Sequence, residues 1–146
     1  MHITAKLTIA LHVLMAIKQF EGQYKTTSSF LAGSVNVNAV VIRNILLQLK
    51  AAGLITVKAG TGGSQLIKEP KDITLLDVYQ AVVEDKDLFR LHENPNPQCP
   101  VGRYVHQILE LRLSALQQKF LEDMRGITLQ DLLDDLRRCS TTAQQE

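Results

Sequence analysis

The side chains with the most specific chemistry to offer lie on one stretch, Asn38-Ala39-Val40-Val41-Ile42-Arg43-Asn44, with Gln48 one turn further on. Asparagine and arginine can each make paired hydrogen bonds, to adenine and guanine edges above all, when a helix carries them into a major groove. Ile42, Ile45, Leu46 and Leu49 recur at i, i+3, i+4 and i+7, the spacing of a buried helical stripe, so Asn38, Val40, Arg43, Asn44 and Gln48 face outward. A second stretch, Gly60-Thr61-Gly62-Gly63-Ser64 with Lys58 and Lys68 at its base, can bring backbone N–H groups close to a phosphate. It lacks the Gly-Lys-Ser/Thr ending of a nucleotide-binding loop, so a nucleotide is not the expected ligand. Ordinary surface hairpins use the same turn residues, and the loop alone does not decide between the two readings.

The remaining reactive groups are sparse. Cys99 and Cys139 stand 40 positions apart, which is neither a metal spacing nor a disulfide framework and agrees with a reducing, cytoplasmic setting. Cys99 lies in a proline-rich loop just ahead of a helix start, a position that lowers a thiol pKa and makes it a candidate redox sensor; packing into an interface is the alternative. His92 and His106 flank it at seven residues on either side, a spacing that matches no metal pattern, so no metal site is expected. His12, alone on its helix, reads as structural. No serine or cysteine comes with a base and an orienting acid, and no paired-carboxylate motif appears, so the chain is not expected to be an enzyme.

The elements that must position these residues follow from periodicity and caps. Residues 3–20 read as a first helix, with Ile3, Leu7, Ala10, Leu11, Leu14, Ile17 and Phe20 on its apolar side. A short helix begins at Thr27 or Ser28, turns at Val35-Asn36-Val37, and hands over to the Asn38 helix, for which Asn38 is a good N-cap. Gly53 suits the position that ends it. Leu54-Ile55-Thr56-Val57 and Gln65-Leu66-Ile67 then read as a hairpin around the glycine loop. Thr74-Leu75-Leu76-Asp77 is a capping-box start for a helix through Val83, and Thr128-Leu129-Gln130-Asp131 starts another carrying Leu129, Leu132, Leu133 and Leu136. Between them, three prolines in residues 92–100 exclude regular structure. The longest helix runs from Val101 to Met124, with Val105, Leu109, Leu113, Leu116, Phe120 and Met124 on one stripe and Val101, Tyr104, Ile108, Leu111 and Ala115 beside it. So broad an apolar face on a late helix points to pairing with a second copy, through Val105, Ile108, Leu109, Leu113, Leu116 and Phe120.

At 146 residues the chain is one domain, or one domain with an extension. Its net charge of +1 conceals a division at Lys68. Residues 1–68 hold seven basic groups and one acidic, a net of +6, and the remainder nine basic and fourteen acidic, a net of −5. Such asymmetry points the first half at a polyanion. No secretory leader stands at the N-terminus and no apolar run approaches the roughly 20 residues of a membrane helix, so no membrane partner is expected.

The order of helix, short helix, outward-facing helix and glycine-tipped hairpin resembles the Rrf2 family of winged-helix transcriptional regulators over nearly the whole chain. The resemblance rests on Thr4-Ala5-Lys6, Ser28-Ser29-Phe30-Leu31-Ala32, Asn38 to Arg43, Ala52-Gly53-Leu54-Ile55, Gly60 to Gly63 and Ile73 to Val78. The stretch His92-Glu93-Asn94-Pro95-Asn96-Pro97-Gln98-Cys99-Pro100-Val101-Gly102 is similar to a cluster-free branch of it. The resemblance implies a homodimer on double-stranded DNA. Asn38, Val40 and Arg43 would face bases, while Thr4, Lys6, Thr27, Ser28, Lys58, Thr61, Gly62, Gly63 and Ser64 would face phosphates. Two departures matter. Ala59 stands where the family often has an arginine before the first wing glycine. Cys99 stands alone where cluster-binding relatives have three cysteines, with Gly102 at the place of a histidine ligand, so no cofactor is expected.

The expectation is therefore a mainly α protein with a small β-hairpin wing. Residues 1–83 would be the winged helix-turn-helix, 84–100 a linking loop, and 101–146 the dimerisation helix and a C-terminal helix. Its function would be a sequence-specific DNA-binding regulator, a repressor on a palindromic operator. Control would pass through the loop around Cys99, by a small-molecule effector or a protein partner. The alternative is a protein-interaction module on the same scaffold, without DNA binding.

Overall fold

The computed structural model describes residues 5–58 and 62–144. Among these residues six helices and one hairpin follow in chain order: α1 Ala5–Gln19, α2 Ser28–Val35, α3 Ala39–Ala51, β1 Ile55–Lys58, β2 Gly63–Leu66, α4 Leu75–Val82, α5 Pro100–Arg125 and α6 Leu129–Ala143, with a 3₁₀ turn at Pro70–Asp72 between β2 and α4. This is the mainly helical, winged architecture expected from the sequence. Among the described residues no single helix is long and apolar enough to cross a membrane.

Local chemistry sets most of the boundaries. Thr27 caps α2 by accepting the Phe30 N–H at 3.2 Å, and Asn38 caps α3 by accepting the Val40 N–H at 2.8 Å. Between them the chain turns through 112°, with Asn36 in the left-handed region at φ +63°. That is the angle of a helix-turn-helix. At the other end of α3, Gly53 adopts φ +76° and donates to the Lys50 carbonyl, while Leu54 donates to that of Leu49. This paired closure of the last turn needs a residue without a Cβ penalty.

The expected stripe of α3, Ile42, Ile45, Leu46 and Leu49, is buried. It meets Leu7, Ala10, Leu14 and Ile17 of α1, joined there by Val13 and Ala16, in one hydrophobic cluster. Leu11 and Phe20 are only half-buried, and α1 ends one residue before Phe20. Leu31, Leu54, Ile55, Ile73, Leu76, Val78, Tyr79 and Val82 extend the cluster, each full burial contributing roughly 1.5–3 kcal/mol for a large side chain.

The hairpin is shifted from its sequence expectation. Its register pairs Ile55 with Leu66 and Lys58 with Gly63, so Gly63 and Ser64 belong to a strand rather than to the loop.

The Ile-Thr-Leu-x-Asp sequence occurs twice, at Ile73–Asp77 and Ile127–Asp131. Both copies form complete capping boxes, and they pair with each other: Leu75 N–H donates to Ile127 at 2.9 Å and Leu129 N–H to Ile73 at 2.8 Å. The pairing brings Leu129 and Leu133 of α6 into the cluster around α1, together with Met124 at the end of α5. The C-terminal helix, grouped by sequence with α5, thus packs on the helices of the first 83 residues.

Helix α5, about 39 Å long at 1.5 Å per residue, is otherwise little covered. Met124 is its one buried residue. Phe120 stacks edge-on against Tyr79 at 6.3 Å, and Gln117 accepts the Leu88 N–H, laying the loop along the helix. Val101, Tyr104, Ile108 and Leu111 are left exposed.

Candidate nucleic-acid interface

The outer face of α3 carries Val40, Arg43, Asn44 and Leu47, all exposed. Arg43 takes part in none of the ion pairs found among the described residues, and neither do Lys25, Lys50 or Lys58. The side of the molecule around α3 and the wing therefore holds uncompensated positive charge, the electrostatic footprint of a polyanion site. Asn38 is placed differently from Arg43. Its Oδ1 already accepts the Val40 N–H, so what it can still offer a base is its NH₂ group and one remaining acceptor position on the oxygen.

Between α3, the start of α2 and the wing runs an open cleft of about 310 Å³, lined by Thr26, Thr27, Ser28, Arg43, Leu46, Leu47, Lys50, Val57, Gly63 and Ser64. Three of its features favour an anion: the guanidinium of Arg43, the ammonium of Lys50, and the positive end of α2, where Thr27 takes the Phe30 N–H and leaves those of Ser28 and Ser29 without an intrahelical partner. Lys58 lies across Gly62, at the base of the wing. The structure thus brings Thr27, Ser28, Arg43, Gly63 and Ser64 together, with Val40 and Lys58 close by in sequence. Lys6 stands on α1, 3.6 Å from Glu84. Thr4 and Thr61 lie outside the described residues.

Thr26, Leu47, Lys50 and Val57 were not singled out by sequence. Lys50 and Leu47 follow Arg43 at i+7 and i+4, a spacing that could have found them. Thr26 and Val57 depend on how the hairpin closes on α2, which no local pattern reveals.

The second candidate region is the loop before α5. Cys99 is the N-cap residue of α5, followed by Pro100 at the first helical position. The N–H groups of Gly102 and Val101 lower its thiol pKa, against a smaller upward push from burial. Gly102 is required here for space, because the Asn96 carbonyl occupies the place of a side chain. His92 and His106 do not converge on Cys99: their rings meet edge-on at 5.3 Å, and His106 Nε2 contacts the His92 carbonyl at 2.6 Å. His12 hydrogen-bonds Ser34 at 3.0 Å, joining α1 to α2. A lowered pKa raises the thiolate fraction at neutral pH. The rate of Cys99 alkylation by iodoacetamide, followed by peptide mass spectrometry, is expected to rise with pH about a midpoint below that of N-acetylcysteine. A midpoint at or above the free thiol would show that the helix start does not act on the sulfur.

A family model, Rrf2, described as iron-dependent transcriptional regulator, matches residues 3–135. The chain is 40% identical over 134 residues to YwnA of Bacillus subtilis, a candidate HTH-type transcriptional regulator, covering 92% of this chain and 98% of the relative. The crystal structure of a candidate DNA-binding protein is similar at TM-score 0.72 and 35% identity, over 88% of this chain and 98% of that one. That of a candidate transcriptional regulator from Lactobacillus plantarum reaches TM-score 0.78 at 25% identity, over 97% and 95%.

The family description names iron, and the donors of this chain do not fit it. Among the described residues no group of three or more histidine, cysteine or carboxylate side chains is gathered to hold a metal. Cys99 offers one thiolate where a cluster takes four ligands.

Proposed function

Since this chain belongs to the Rrf2 family of transcriptional regulators, we propose that it is a repressor that reads a palindromic operator as a homodimer. The observation that carries the reading is the cleft where Arg43 and Lys50 of α3 face the N-terminus of α2 and the root of the wing. The helix α3 enters the major groove, Arg43 and Val40 meet base edges, and Asn38 contributes through its free amide nitrogen. Thr27, Ser28, Lys50, Lys58 and the wing glycines hold phosphates on either side. Two copies joined through α5 place their α3 helices on half-sites about 10 base pairs apart.

Regulation follows from the connections of α5. One end is tied by the paired Ile-Thr-Leu segments to α4 and α6, and the other begins at Cys99 under the loop of residues 84–99. A signal that moves the loop, whether oxidation of Cys99, a small molecule or a protein partner, shifts α5 and with it the distance between the two recognition helices.

The test is fluorescence anisotropy on the DNA upstream of the protein's own gene and on scrambled DNA, across a salt series. Preference for the native fragment, with log K falling steeply against log salt at about 0.9 per phosphate contacted, is the expected outcome. Equal weak binding to both would place the operator elsewhere. No binding even at low salt would replace this reading by that of a protein-interaction module.

A further inference from the structure

The wing is held by more than its apolar residues. Two strands of four residues do not sustain themselves in water, and in β1 only Ile55 is buried while Thr56, Val57 and Lys58 are exposed. At the far end of the hairpin the anchor is polar, and it comes from the segment ahead of α2. Thr26 Oγ1 donates to the Ser64 carbonyl at 2.8 Å, and the Ser64 N–H donates back to the Thr26 carbonyl at 3.2 Å. Both residues are buried, at 3% and 4% exposure. Gly63 sits against them at φ +69°, where a Cβ would stand 2.7 Å from the Thr26 nitrogen. The two backbones approach as closely as they do only because residue 63 has no side chain.

We infer that Thr26 is a positioning residue for DNA binding: its clasp on Ser64 locks the root of the wing to the N-terminus of α2, presetting the spacing between the phosphates that the two elements contact. The inference rests on the DNA-binding reading above. Thr26 immediately precedes Thr27, the cap of α2, so the clasp connects the cap to the strand through one peptide unit. Its own side chain is buried and turned to Ser64, so it acts on DNA only through the wing. Without the clasp the wing root is free to shift, its ordering is deferred to the moment of binding, and affinity falls by that cost. Fewer phosphates are then held at once, which lowers the salt slope.

The test uses the full-length protein and, as probe, the duplex that wild type enriches from a random-sequence library. Thr26→Val keeps the shape and removes the hydroxyl; it is expected to bind about tenfold more weakly. Its salt slope should fall by about 0.9 to 1.8, the share of one or two phosphates. Thr26→Ser keeps the donor and should stay within about twofold of wild type, as rescue by the hydroxyl requires. Gly63→Ala leaves the Thr26 hydroxyl in place and pushes the strand away from the other side. It carries the same expectation as Thr26→Val, including the case in which that variant does not fold. A merely structural role would lower the active fraction in a stoichiometric titration and leave the slope of the active molecules unchanged. A wild-type slope in Thr26→Val or Gly63→Ala, or an equal loss in Thr26→Ser, overturns the inference and leaves the DNA-binding reading standing. A library from which wild type enriches nothing overturns both.

Discussion

Ile108→Glu combined with Leu111→Glu is expected to leave each chain folded and to reduce the protein to a monomer of 16.3 kDa in multi-angle light scattering. The two side chains are 60% and 75% exposed, so the fold within one chain does not depend on them. Together with Val101 and Tyr104 they recur at steps of three, four and three, the spacing of a seam between paired helices. Across a dimer each apolar side chain covered contributes roughly 1.5–3 kcal/mol, and a glutamate in its place adds the cost of burying a charge. Because one half-site then binds without its twin, affinity for a palindromic operator should fall by about 100-fold or more, and the melting temperature should drop by the share the partner contributed and lose its dependence on protein concentration. A dimer of unchanged mass would move the interface to another face of the molecule.

The same helix shows where sequence stops being informative. Its periodicity exposed a broad apolar face but not which part of that face a neighbour covers. Phe120 is taken up inside the chain by Tyr79, and Leu113 lies half-buried beside the loop, whereas the flanking line through Ile108 and Leu111 stays open. That division follows from where α4 and the loop happen to lie. It is a fact of tertiary structure that helical spacing cannot encode.

Elements fixed by neighbours in the chain were legible. Asn38 and Thr27 as caps, Gly53 as terminator and the two Thr-x-x-Asp starts each act within a turn of their own position, so residue type alone identifies them. Elements fixed across the chain were not. Gly63 and Ser64 have the composition of a loop but pair with Lys58 and Val57 of β1, and Thr26, 38 residues away from Ser64, anchors them there. The docking of α6 was hidden for the same reason: its leucines suggest only an amphipathic helix, while the pairing of Ile73–Leu75 with Ile127–Leu129 decides what it packs against. For the candidate interface, the exposed side of α3 could be read from the stripe opposite it, except at Gln48, which is half-buried with its Oε1 out of reach of solvent, and the cleft needed the hairpin's true register.

Arg43→Ala provides the sharpest test of how α3 is used. The side chain is exposed and unpaired among the described residues, so removing it should cost the fold little. If it forms paired hydrogen bonds to a guanine, its loss removes about 1–3 kcal/mol of discrimination. That is a fall of roughly 5- to 150-fold in the preference for operator over scrambled DNA. Arg43→Lys separates charge from geometry. It retains the salt slope, because the positive charge remains, but loses most of the preference, because an ammonium cannot make the planar two-pronged contact. Lys50→Ala should do the opposite, weakening both DNAs alike and lowering the slope by about 0.9. Arginine at 43 and lysine at 50 sit two turns apart on one face and line one cleft, yet only the first lies in the outward run begun by Asn38 and Val40. Should Arg43→Ala and Lys50→Ala give the same uniform weakening, α3 would be gripping the backbone rather than reading the groove, and specificity would have to be sought in the shape of the DNA.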